Sequence, residues 1–141
     1  KYWDDVVKSK YVEVIRREIP ALYASLRQEI NEAGIWLNEC PDHAKEFVRV
    51  IVTDCQQPVH IYGDARAYVL GEAEVVAHDH AICVAYGGTV KALGYKSITA
   101  NIDTKVYSFS QRNINLHDNA VLYPLTDLPN DEITHCNKSQ G

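Results

Sequence analysis

The sequence predicts a mainly β chain, a small single-stranded β-solenoid of eight-residue units with an N-terminal α-helical segment, and three periodic series between Ile51 and Leu122 predict it. An apolar residue recurs every eight positions, as Ile51, Val59, Ala67, Val75, Cys83, Val90, Ile98, Val106, Ile114 and Leu122, with one seven-residue step from Cys83 to Val90. Two residues after each comes a second, mostly small or apolar position: Thr53, Ile61, Val69, Ala77, Ala85, Ala92, Ala100, Ser108, Leu116 and Pro124. A third series is rich in turn formers: Cys55, Gly63, Gly71, Asp79, Gly87, Gly94, Ile102, Ser110 and Asp118. A strand of about five residues followed by a bend cannot bury its own apolar side. Stacked about 4.8 Å apart, such units hydrogen-bond to the coils above and below and turn the inward positions into continuous columns.

Residues 1–34 read as helical. Tyr2, Trp3, Val6, Val7, Val14, Ile15, Leu22, Leu26 and Ile30 fall at spacings of three, four or seven. Pro20 suits the first turn of a new helix, where its missing N–H costs nothing, and Gly34 suits a C-terminal stop. Ile35–Leu37 is a short apolar stretch, and Asn38–His43 reads as a loop. The β-rich region starts near Phe47, so the expected division is a helical segment and loop over 1–46, a solenoid over 47–125 and a polar tail over 126–141. Pro124 and Pro129 would deny donors at the last coil.

Within the repeat, Ala73, Val75 and Ala77 share one face and Asp79 permits the bend. Small inward residues such as Ala77, Ala85, Ala92 and Ala100 favour a thin, flattened coil with two units per turn. The period leaves handedness open. One outward flank then carries Val50, Val52, Arg66, Tyr68, Ile82 and Val84, apolar where water would be met; helices lying over it are the expectation, a partner patch the alternative. The opposite flank carries Glu74, Val76, Thr89, Lys91, Lys105, Tyr107, Val121 and Tyr123, a Lys/Tyr mixture suited to protein contact.

The units Ala73-Glu-Val-Val-Ala-His-Asp-His80 and Ala81-Ile-Cys-Val-Ala-Tyr-Gly-Gly88 carry a resemblance. Residues 65–94 are similar to the tandem repeat Ala-x-Val-x-Ala-Tyr-Gly-x of β-solenoid proteins from phages, prophages and gut bacteria, and the likeness decays after Lys96. It implies a β-solenoid fold and a phage or mobile-element setting, in which small proteins often disable a host defence enzyme.

Composition narrows the function classes. A net charge of -5 and a pI near 5.6 argue against direct nucleic-acid binding, which needs a basic stripe. The acids are not concentrated on the repeat, so a nucleic-acid mimic is not indicated either. Cys40, Cys55, Cys83 and Cys136 are too dispersed for a disulfide framework, which points to reduced thiols and a cytoplasmic location. No apolar run approaches the ~20 residues of a membrane helix.

Under a two-unit coil Tyr62 and His78 stack in one corner column, and Asp64, His80 and Tyr95 in the next, with Asp79 between them. These residues, with Lys91, Lys105, Tyr107 and Tyr123, form the candidate partner-binding set. Turn chemistry alone also explains Asp79. The pairs His78-Asp79 and His117-Asp118 fall on opposite edges and so cannot build one catalytic site within a chain; Asp64 and Glu72 separate in the same way. Cys40 and His43 with His135 and Cys136 match zinc spacing poorly, and neither metal nor cofactor is expected. The resulting expectation is a non-enzymatic protein-binding solenoid, an inhibitor of a host defence complex of the anti-CRISPR kind, acting on a host protein or nucleoprotein. Two rivals stand beside it: a structural module or homodimer joined through solenoid ends, and a carbohydrate-active β-helix enzyme.

Overall fold

The computed structural model describes residues 12–41 and 47–127. Helix α1, Val12–Glu32, precedes eleven short strands: β1 Ile35–Leu37, β2 Arg49–Thr53, β3 Val59–Ile61, β4 Arg66–Leu70, β5 Glu74–Ala77, β6 Ile82–Tyr86, β7 Thr89–Ala92, β8 Ser97–Asn101, β9 Lys105–Ser108, β10 Ile114–Leu116 and β11 Val121–Pro124. A 3-10 turn, Leu125–Asp127, follows, with Leu125 buried. All strand pairs are parallel, and from β2 onward successive strands alternate between two sheets, β1 pairing with β2 in the same sheet. Sheet A has the order β1-β2-β4-β6-β8-β10 and sheet B the order β11-β9-β7-β5-β3. The chain is therefore a β-solenoid with two strands per coil, as the octad implies.

The register puts Val75 opposite Val90 and Val90 opposite Val106 in one inward column of sheet B. Ala67, Cys83, Ile98 and Ile114 form the matching column of sheet A. Most inward side chains are fully buried in one core, and burial alone pushes the Cys83 thiol up to about 12. The seven-residue step has a local cause. Gly87 and Gly88, both at positive φ, close the β6–β7 corner in two residues, where β4–β5 uses Gly71, Glu72 and Ala73. A side chain on Gly88 would overlap the Ala73 carbonyl oxygen, so the tight corner excludes any other residue. Six positions of the turn series, Gly63, Gly71, Asp79, Gly87, Ile102 and Asp118, have positive φ, whereas Gly94 and Ser110 turn the chain without it.

Three expectations need correction. In the first full coil the phase is one residue earlier: Val50 and Val52 point inward, Ile51 points outward, and Asp54 rather than Cys55 takes the positive φ. The spacing from Val50 to its partner Ala67 is accordingly longer than the usual coil. Apolar side chains on both faces of β2 leave the period-two signal without contrast. Secondly, the sheet begins before Phe47, because β1 pairs with β2 and sets Trp36 opposite Val50. Thirdly, α1 passes through Pro20, and its non-helical residue is Leu26. The packing face is then Ile19, Tyr23 and Ile30, while Leu22 and Leu26 are exposed. That face covers Leu37, Ile51, Tyr68, Leu70 and Val84 on sheet A, so the apolar flank is covered from within the chain. Arg16, bonded at 2.7 Å to Asp54, and Tyr23, whose hydroxyl donates to Glu39 at 2.7 Å, tie α1 to the solenoid. The Arg16 hydrogen bond holds the Asp54 carboxyl below its ordinary range.

The readings placed on Tyr2, Trp3, Val6, Val7, His43, His135 and Cys136 lie outside the described residues, as does most of the 126–141 segment. Among the described residues no helix is long and apolar enough to cross a membrane.

Candidate functional site: the corner and outer face of sheet B

Two kinds of corner join the sheets. The sequence-predicted residues gather on the one leading from sheet B back to sheet A, at 62–65, 78–81 and 93–96. His78 follows the last inward residue of β5 and so continues the outward alternation of Glu74 and Val76. It is 3 % exposed and stacks on Tyr62 one coil below, with ring centroids 4.9 Å apart and an interplanar angle of 11°. Asp79, at φ 62°, turns the chain, and its carboxylate accepts the Gly63 N–H at 2.9 Å. Asp79 thus serves the corner of the coil beneath it.

His60 completes this group, and the sequence reading missed it. His60 Nδ1 lies 2.9 Å from His78 Nε2, so one ring donates and the other accepts. The bond requires one shared proton, and protonating both rings would break it. Burial, then the charge of a protonated His60, holds His78 below its ordinary value, partly opposed by Asp79. His60 was visible in principle: in Val59-His60-Ile61-Tyr62 it alternates outward with Tyr62.

The other candidates separate into two places. Asp64 and His80 are exposed at the corner, and Tyr95 beside them is half-buried with its hydroxyl donating to the Arg112 carbonyl at 2.6 Å. On the outer face of sheet B the register sets Glu74, Thr89, Lys105 and Val121 in one row, and Val76, Lys91, Tyr107 and Tyr123 in the next. Lys91 faces outward but is only 5 % exposed, its ammonium 2.9 Å from the Glu74 carboxylate. Towards the C-terminal end the face opens. Lys105 and Val121 are exposed there, and Tyr107 and Tyr123 stack with centroids 5.1 Å apart.

The corner holding His78 and Asp79 and the corner holding His117 and Asp118 lie on opposite edges, as do Asp64 and Glu72. Among the described residues no group of three or more His, Cys, Asp or Glu side chains could hold a metal ion. What the geometry presents is a stiff sheet surface with rigid aromatic side chains at fixed spacing. No known protein family, curated protein or solved structure matches this chain, and what the structure shares with the octapeptide resemblance is the β-solenoid architecture.

Proposed function

We propose that the chain is a non-enzymatic protein-binding solenoid that docks through the C-terminal half of sheet B's outer face. The observation that carries this reading is the in-register stack of Tyr107 and Tyr123 beside exposed Lys105. Backbone pairing fixes both tyrosines before any partner arrives, so large amphipathic area is offered at small entropic cost. Exposed Asp64, Asp79 and His80, with half-buried Tyr62 and Tyr95, border sheet B at the corner leading back to sheet A, while His78 is buried and supports that corner from beneath. Together with the likeness of residues 65–94 to phage and gut-bacterial repeats, this supports a partner that is a host protein or nucleoprotein, met through protein surface. The role is inhibition of a defence complex by occlusion.

The test is functional and physical together. Expressed in a bacterium with an active defence system, the chain should raise phage plating, and the purified chain should bind the purified defence complex. Tyr107→Ser with Tyr123→Ser should abolish both effects while the far-ultraviolet spectrum stays that of the parent. Equal activity of parent and double variant, or no effect of either on any defence complex, would sink the proposal.

A further inference from the structure

Among the described residues no further strand closes the last coil. β10 and β11 end their sheets, and among the described residues they pair only with β8 and β9. Inward positions that each earlier coil hides under its successor come to the surface here. Leu116 is 40 % exposed, whereas its register partner Ala100 one coil back is 0 % exposed. Between the two strands lies a trough of about 560 Å³ whose lining includes Phe109, Leu116, Val121, Leu122 and Pro124. Phe109 stands at its rim, 73 % exposed.

We propose that this trough and its two strand edges form an interface for a second copy of the chain, joined end to end about a two-fold axis. An occupant must meet both edges at once, with strands separated as the two sheets are, and must place apolar side chains between them. The terminal coil of a second copy has that spacing by identity. Because the two strands of a flattened coil run in opposite directions, a two-fold perpendicular to the solenoid axis makes both new pairings antiparallel, whichever edges meet. With end strands of three and four residues, the section offered by one coil is smaller than a standard specific interface and belongs with weak, transient contacts. Pro124 also withholds one donor from the β11 edge. The dimer is therefore a reversible one.

Sedimentation velocity on the full chain tests it, from about 1 µM to about 500 µM, the range in which so small an interface saturates. The mass should rise from monomer to dimer with concentration. Leu116→Glu, which sets a carboxylate in the trough of each copy, should weaken association at least about tenfold. Thr99→Glu, on the outer face of sheet A, should leave it unchanged. Amide exchange on the unaltered chain guards against a misfolded variant: Ile114–Leu116 and Val121–Tyr123 should exchange more slowly as concentration rises. A chain that stays monomeric throughout, a Leu116→Glu variant that dimerises like its parent, or end-strand exchange that ignores concentration would each overturn the proposal. None of these results bears on binding through Tyr107 and Tyr123.

Discussion

The two sheets grow from one repeated unit yet wear different outsides. On sheet A the outward side chains of the early coils are Ile51, Tyr68, Leu70 and Val84, and α1 lies on them. Further along, the outward positions of the same sheet are polar, with Ser97, Thr99, Asn101, Asn113 and Asn115. Sheet B instead pairs its outward polar groups, Lys91 with Glu74 and His60 with His78, and then presents Lys105, Tyr107 and Tyr123. Inward residues determine that the chain coils. Outward residues decide whether a face is covered from within or left exposed.

That contrast can be broken at individual residues. The largest effect is expected at Tyr68, fully buried under α1: Tyr68→Ala should cost about 3–5 kcal/mol in urea unfolding, as for other large-to-small core changes. Tyr107→Ala on sheet B should cost less than about 1 kcal/mol, and similar losses at the two tyrosines would erase the distinction between the faces. Next comes the ion pair of buried Lys91 with half-buried Glu74 on sheet B. Glu74→Gln should destabilise by about 1–2 kcal/mol by taking a charged partner from Lys91, and adding Lys91→Met should restore most of it. If the second change makes matters worse, the pair is not what satisfies that ammonium.

The smallest effect is a pH slope. His78 is held below its ordinary 6.5 in the folded chain, so across the window beneath 6.5 the unfolded chain binds more protons. Stability is complete above 6.5, falls as pH drops through that window, and levels once pH is below the folded value. Denaturant midpoints at about pH 7 and about pH 5 should therefore differ more for the parent than for His78→Gln. A parent whose midpoint does not move would mean that His78 takes up its proton without loss of packing.

Much of this fold could be read without coordinates, because inward and turn positions answer to strong local rules: Val75, Val90 and Val106 need a dry interior, and Gly63, Gly71 and Gly87 need positive φ. The phase failed at Ile51, where apolar residues on both sides of β2 remove the alternation. The helical face was misread because Leu26 departs from helical geometry and shifts contact to Ile19 and Tyr23. At the candidate site the Tyr62–His78 stack followed from sixteen-residue columns. His60 did not, since it meets His78 across neighbouring columns rather than within one. Nor could spacing reveal that Lys91 is buried, because outward position and exposure are separate properties.

The central claim is that sheet B, not sheet A, carries the binding surface, and matched variants on the one scaffold test it most directly. With the partner purified, its affinity should be measured for Tyr107→Ala/Tyr123→Ala and for Thr99→Ala/Asn115→Ala, positions at comparable heights on opposite faces. A loss of at least about a hundredfold for the tyrosine pair, with no change for the sheet A pair, is the predicted result. Equal losses, or a loss confined to Thr99 and Asn115, would contradict it.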